Sequence, residues 1–270
     1  MNDLALDAAR RLAAAGMDSA RLDARLLYEH AKGDVAAFEA AINRRLDRES
    51  VAAIIGRKEF WSLDLEVGPG VLIPRPDTET LIEEAIRLVP DRRAPLRIAD
   101  LGTGSGAILL AALAEFPNAT GIGFESASAA YAYASRNAAR HARSRAQIRL
   151  ADWEMAAAEA PFDLVFSNPP YIPAADIAAL QPEVREHEPL SALDGGPDGL
   201  AAYRALSGLL PGLLAPGGYA LLEIGEGQAP AMETLFPGLE LVRIGADLAG
   251  IPRCVALKPL KSLGNQGPIR

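Results

Sequence analysis

Cysteine is nearly absent: Cys254 is the single one among 270 residues. One thiol cannot close an internal disulfide or supply a CxxC metal pair, so a reducing setting is expected, with Cys254 as a small core residue. Histidine is scarce too. His30, His141 and His187 stand far apart with no carboxylate at metal-ligand spacing, and no metal site is expected. No apolar run reaches the roughly 18–20 residues a membrane-spanning helix needs. The opening MNDLALDAARR lacks the basic start and apolar block of a signal peptide. A cytoplasmic protein without membrane contact is therefore expected. Positive charge is in the minority, 27 Lys+Arg against 35 Asp+Glu for a net charge of −8. That balance argues against gripping a nucleic-acid backbone through long-range charge, and direct nucleic-acid binding is not expected. Apolar material is plentiful: 50% of residues are hydrophobic and 23% charged, enough for a core and too much for wholesale disorder.

The pattern changes twice along the chain. Residues 1–57 read as helical, with Leu4, Ala8, Ala9 and Leu12 at helical spacing and Leu22, Leu26, Leu27 and His30 following. Val35, Phe38, Ile42 and Leu46 make a third set and Val51, Ile54 and Ile55 a fourth, which predicts a small bundle. Residues 58–75 read as a linking β-hairpin: Leu63, Leu65 and Val67 alternate with polar residues, Gly68-Pro69-Gly70 turns, and Val71–Ile73 returns. Asp77 and Thr78 then offer caps to a helix predicted over 79–89. Residues 76–270 form the third part. Strands are predicted at 97–101, 120–124, 147–150, 163–167, 219–224, 239–244 and 253–258, with helices at 107–115, 128–140, 199–210 and 228–236. Alternation of this kind implies an α/β fold, a mostly parallel seven-stranded sheet covered on both faces, with its ligand beyond the carboxyl ends of the strands. The tail after Lys258 is expected to fray, and the basic run from Arg136 to Arg149 to form a solvated face.

The first predicted strand ends in Ala99-Asp100-Leu101-Gly102-Thr103-Gly104-Ser105-Gly106, directly before a helix. Three glycines in five residues let a backbone approach a ligand closely. The loop is G-x-G-x-G with no lysine, unlike the usual phosphate cradles. It resembles the first motif of the Rossmann-like methyltransferases that bind S-adenosylmethionine. That resemblance implies that Asp100 helps position the methionine end of the cofactor. A nucleoside site also needs an acid at the end of the second strand to accept two ribose hydroxyl protons, and Glu125 stands there, about 20 residues on. The related enzymes usually have Asp at this place, so the longer side chain bears on cofactor affinity. Asp152 and Trp153 follow the third strand, where the same enzymes flank the adenine with an acid and an aromatic.

The fourth strand ends in Asn168-Pro169-Pro170-Tyr171. Two prolines stiffen the loop and remove two N–H donors, so carbonyls there are free to accept. Asn168 adds a side-chain acceptor and Tyr171 a flat wall. Such a slot suits a planar –NH2 group, either an exocyclic amine of a nucleic-acid base or the amide of glutamine. The lone pair of that nitrogen is delocalised, and holding both N–H groups aims it at an electrophilic methyl. Asn168, Pro169 and Tyr171 are thus the candidate catalytic residues, and with Pro170 the candidate substrate contacts. Asn168 is also a candidate cofactor contact.

Further segments narrow the choice. Leu72-Ile73-Pro74-Arg75-Pro76-Asp77-Thr78-Glu79 precedes the α/β region, and Glu188-Pro189-Leu190-Ser191-Ala192 leads into Asp194-Gly195-Gly196-Pro197-Asp198-Gly199 after the Asn-Pro-Pro-Tyr loop. Leu222-Glu223-Ile224-Gly225 with Gln228, then Asp247-Leu248-Ala249-Gly250, complete the set. Nearly the whole chain resembles the release factor glutamine N5-methyltransferases. The resemblance implies S-adenosylmethionine as methyl donor, and as protein partners the peptide chain release factors, modified on the glutamine of their Gly-Gly-Gln loop. The helical region, which carries no evident chemistry, would then read the protein substrate. A DNA or RNA amino-methyltransferase is the alternative.

Overall fold

The computed structural model describes residues 3–260. Met1, Asn2 and residues 261–270, and with them most of the tail expected to fray, lie outside the described residues. Helices α1 (Asp3–Ala14), α2 (Ala20–Ala31), α3 (Val35–Leu46) and α4 (Val51–Ile55) pack around Leu12, Leu27, Phe38 and Ile42. Most of the expected apolar set faces inward, but two of its leucines do not. Leu4 and Leu22 are 39% and 48% exposed, while Ala5, Ala8 and Ala24 face inward. Small side chains let the helices approach closely. Asp23 is drawn inside because Arg45 of α3 meets it at 2.8 Å.

The hairpin is present but displaced. Strands β1 (Arg57–Phe60) and β2 (Leu63–Glu66) pair around a two-residue turn, Trp61-Ser62, with both residues at positive φ. Nothing in Trp-Ser signals such a turn, which usually takes Asn-Gly. Tertiary bonds impose it: the Trp61 main-chain N–H donates to Glu79 at 2.8 Å and its indole N–H to Glu115 at 2.7 Å. Val71 and Ile73 form no second strand and instead bury themselves against Val67 and Ala130. The basic run forms an exposed face, on which Arg136 and Arg140 also reach back to Glu66 and Asp64 of the hairpin.

After α5 (Glu79–Leu88) come β3 (Arg97–Leu101), α6 (Ala107–Glu115), β4 (Thr120–Glu125), α7 (Ser128–His141), β5 (Ala146–Leu150) and β6 (Phe162–Ser167). The short α8 (Pro182–Arg185), α9 (Ala201–Leu213), β7 (Leu214–Glu223), α10 (Ala229–Leu235), β8 (Leu239–Ala246) and β9 (Pro252–Pro259) follow. The seven strands lie in the order β5-β4-β3-β6-β7-β9-β8. The first five in that order run parallel, and β9 pairs antiparallel with both neighbours. Strand alternation splits the core in two: Leu164, Phe166, Leu221 and Cys254 pack with α5 and α6, whereas Val165, Ala220, Leu222 and Val255 pack with α9 and α10. No helix of the described residues is long and apolar enough to cross a membrane. Strand order reverses between β3 and β6, so the ends of those two strands mark the switch point where such sheets bind ligands.

Candidate active site

At that switch point the glycine loop and the Asn-Pro-Pro-Tyr loop leave the sheet side by side. The Ser167 hydroxyl donates to the Leu101 carbonyl at 2.7 Å and fixes their spacing. A cavity of about 540 Å³ opens above them, a size suited to a nucleoside-sized ligand. Gly102, Thr103, Gly104, Ser105, Glu125, Asp152, Trp153, Asn168, Pro169 and Pro170 all line it.

Gly102, Gly104 and Gly106 have φ of 73°, 58° and 85°, a region that side chains disfavour. A Cβ added at Gly102 or Gly104 would meet no protein atom within 4 Å, so their bareness leaves room for a ligand rather than for packing. Gly106 does not line the cavity; it starts α6. Four N–H groups of the loop bond inside the protein: Gly102 and Thr103 to the Phe124 carbonyl, Gly106 to the Thr103 carbonyl, and Gly104 to Glu125. A phosphate cradle would aim these donors at its ligand. This loop brings close backbone without positive charge.

Glu125 ends β4 and is 9% exposed. One carboxylate oxygen accepts from Gly104 N–H at 2.8 Å and the other from Ala127 N–H at 2.9 Å. Each oxygen keeps a second lone pair, enough for two ligand hydroxyls. The extra methylene of Glu is thus taken up in bridging the two loops. Gly123, two residues earlier in β4, is needed because a Cβ there would stand 2.9 Å from the Thr103 side chain.

Asp100 is fully buried and does not reach the cavity wall. Its Oδ2 accepts from the Thr103 hydroxyl at 2.6 Å and from Leu109 N–H at 3.2 Å, bracing the loop from beneath. Its Oδ1 has no partner among the described residues. Tyr171 also stays off the wall: its ring packs in the core beside Gly225, and its hydroxyl donates to Glu223 at 3.3 Å.

Arg75, Thr78, Pro189 and Ser191 line the cavity as well. The segments that contain them are prominent in the sequence, but nothing in their residue types announced a wall. Arg75 donates to Glu188 at 2.5 Å, joining the two segments over the site.

Burial pushes Asp100 and Glu223 up to about 7 each, against the bonds from Thr103 and Leu109 in one case and the nearby hydroxyls of Thr78 and Tyr171 in the other. In the unfolded chain both ionise near pH 4. Their contribution to stability is therefore intact below about pH 4 and is lost as pH rises through about 7, on the order of 3–4 kcal/mol per group. Asp100→Asn keeps an acceptor for Thr103 and Leu109 while removing one titration. Thermal melts of cofactor-free protein at pH 5–8 should then show a shallower decline than the wild type. Parallel curves would mean that Asp100 ionises normally.

The fold and the site together define a methyltransferase of the S-adenosylmethionine-dependent class. A family model described as the methyltransferase small domain matches residues 81–181. A release factor glutamine methyltransferase of Rhodospirillum rubrum is 46% identical over 91% of this chain and 81% of its own length. One from Caulobacter vibrioides is 44% identical over 93% and 94%. Among solved structures, a 16S rRNA N2 methyltransferase of T. thermophilus, in complex with AdoMet and guanosine, shares the fold. It aligns with a TM-score of 0.53 at 20% identity, over 75% of this chain and 49% of that one. The chain belongs to the release factor glutamine methyltransferases.

Proposed function

We propose that this protein methylates the side-chain amide nitrogen of the glutamine in the Gly-Gly-Gln loop of peptide chain release factors. The observation that carries the reading is the placement of Asn168, Pro169 and Pro170 on the cavity wall, one strand over from the glycine loop. When bound, S-adenosylmethionine supplies a methyl group on a positively charged sulfur. The chain's own residues do the rest by positioning. Glu125 would hold the two ribose hydroxyls, and Trp153 and Asp152 would hold the adenine. The open space over Gly102 and Gly104 admits the methionine portion. Asp100 braces the glycine loop beneath that space through Thr103 and Leu109. Asn168 Oδ1 and a carbonyl of the Pro169-Pro170 turn accept the two amide hydrogens, which favours a pyramidal nitrogen and aims its lone pair. The nitrogen becomes acidic once alkylated, so its proton can pass to water without a strong base.

The helical bundle (residues 1–57) serves as the reader of the release factor, the hairpin region (58–75) as the link and residues 76–270 as the catalytic domain. Its position supports this. Arg45 and Arg48 hold Glu183, and His187 meets the Asp47 carbonyl at 2.8 Å. Glu183 and His187 belong to the same stretch as Glu188, which holds Arg75, and Pro189 and Ser191, which line the cavity. The bundle is thereby fastened to the rim of the site. A release factor substrate also places the reaction in the cytoplasm.

A release factor incubated with the protein and S-adenosylmethionine, then digested and analysed by mass spectrometry, should carry one methyl group on the Gly-Gly-Gln glutamine. An unmodified factor, with methyl transfer to DNA or RNA instead, would overturn the reading. For the cofactor, Glu125→Ala is expected to weaken binding by about 1–3 kcal/mol in calorimetry. Glu125→Gln should fare little better, because one end of an amide cannot accept from the Gly104 or Ala127 N–H. Unchanged affinity would remove Glu125 from the ribose site.

A further inference from the structure

Thr78 precedes α5 at the place of an N-cap, yet its side chain makes no capping hydrogen bond. The hydroxyl sits between two other groups. Asn168 Nδ2 lies 3.4 Å from Thr78 Oγ1, and the Thr78 side chain stands close enough to the Glu223 carboxylate to lower its pKa, while Glu223 Oε2, buried, has no hydrogen-bond partner among the described residues. Glu223 ends β7, is 2% exposed, and also receives the Tyr171 hydroxyl. Both ends of the Asn168–Tyr171 loop therefore lead to one buried carboxylate outside the cavity.

The two ends of an asparagine amide are nearly identical in shape and opposite in hydrogen-bonding sense, so only its partners decide which end faces the substrate. A threonine hydroxyl cannot decide alone, because it both donates and accepts. A carboxylate only accepts. We propose that Glu223 and Thr78 are positioning residues for methyl transfer: the unpartnered Glu223 Oε2 accepts a hydrogen bond from the Thr78 hydroxyl, the Thr78 oxygen must then accept from Asn168 Nδ2, and Asn168 Oδ1 is left facing the substrate amide. This rests on the reading of Asn168 given under Proposed function.

The arrangement makes the selection depend on pH. Glu223 is faced by Asp77 and Thr78 from the turn before α5, by Tyr171, and by Arg253 and Cys254 from β9, while Tyr203 donates to its main-chain carbonyl. Burial and Asp77 raise its pKa and Arg253 opposes them, leaving it at about 7. Below that, the acid carries its own proton and can donate to Thr78. The Thr78 proton is then free to turn toward Asn168, and the amide loses its fixed sense.

The test compares wild type, Glu223→Gln, Thr78→Val and Thr78→Ser, each alone and combined with Asn168→Ala, in methylation of a release factor. Glu223→Gln and Thr78→Val should each lower kcat about tenfold, the effect of one hydrogen bond, with the KM for S-adenosylmethionine unchanged. Thr78→Ser should restore the rate. The wild-type kcat should rise along an acid limb near pH 7 that is missing in Glu223→Gln. In the Asn168→Ala background, Thr78→Val should cost nothing further, since the group being positioned is gone. Full multiplication of the two losses would overturn the relay. An NMR titration of the Asn168 side-chain amide needs no substrate and should move near pH 7 in the wild type but not in Glu223→Gln. A protein that shows this titration yet methylates no release factor keeps the relay and refutes the substrate reading; an amide that does not titrate refutes the relay. Should Glu223→Gln not fold, the Thr78 pair carries both readouts.

Discussion

Replacing Asn168 by alanine is expected to lower kcat by roughly 10²-fold or more, the scale seen when a preorganised polar contact to the reacting group is removed. The amide nitrogen of glutamine is a poor nucleophile because its lone pair is shared with the carbonyl. Whatever holds its two hydrogens in a pyramidal arrangement acts more strongly in the transition state than in the ground state, so the loss falls on kcat rather than on binding. Affinity for S-adenosylmethionine should change little, because Glu125 and the bare backbone at Gly102 and Gly104 form the other side of the cavity. Tyr171→Phe should be far milder. The ring is already in the core and only its bond to Glu223 is lost. Single-turnover kinetics on a release factor separates transfer from binding. Near-normal transfer by Asn168→Ala would make the loop a structural turn and the mechanism wrong.

The parts of this site that were legible in sequence are those whose residue types have few alternative uses. Three closely spaced glycines between a strand and a helix, an acid ending the next strand, and Asn-Pro-Pro-Tyr ending the fourth each restrict the backbone locally, and the structure brings all three loops to one cavity. Groups set by distant partners were not legible. Tyr171 was expected to form a wall, but a buried carboxylate from β7 holds its hydroxyl inward. Thr78 reads as a helix cap, because capping is a local habit of threonine, whereas its side chain meets Asn168 and stands beside Glu223, 90 and 145 positions away. The hairpin was displaced for the same reason: Gly68-Pro69-Gly70 carries the local turn signal, while Trp61-Ser62 turns under the pull of Glu79 and Glu115. In the bundle, helical spacing picked out Ala8, Leu12, Leu27, Phe38 and Ile42 as core but also Leu4 and Leu22, which are exposed, and it gave no sign that Asp23 would lie inward, where Arg45 meets it.

That pair sets the largest expected effect on stability. Arg45 and Asp23 are 7% and 5% exposed, and the guanidinium spans from Asp23 at 2.8 Å to Glu183 at 2.9 Å. Arg45→Ala would leave the Asp23 carboxylate buried without its counter-charge, at a cost of about 3–5 kcal/mol. The cost arises from the stranded partner more than from the lost bond. Asp23→Ala combined with Arg45→Met should therefore recover most of it, since alanine suits α2 and methionine fills the space of the arginine stem. Urea denaturation of the single and double variants checks this, and a double variant no more stable than Arg45→Ala would show that the ion pair itself holds the bundle. The bond to Glu183 adds a functional consequence. Without Arg45, the polar ties from the bundle to the stretch that lines the site are, among the described residues, Arg48 to Glu183 and His187 to the Asp47 carbonyl. The double variant, though stable, should keep its affinity for S-adenosylmethionine and show a raised KM for the release factor. An unchanged KM would mean that the bundle reads the substrate without being held to the rim of the cavity.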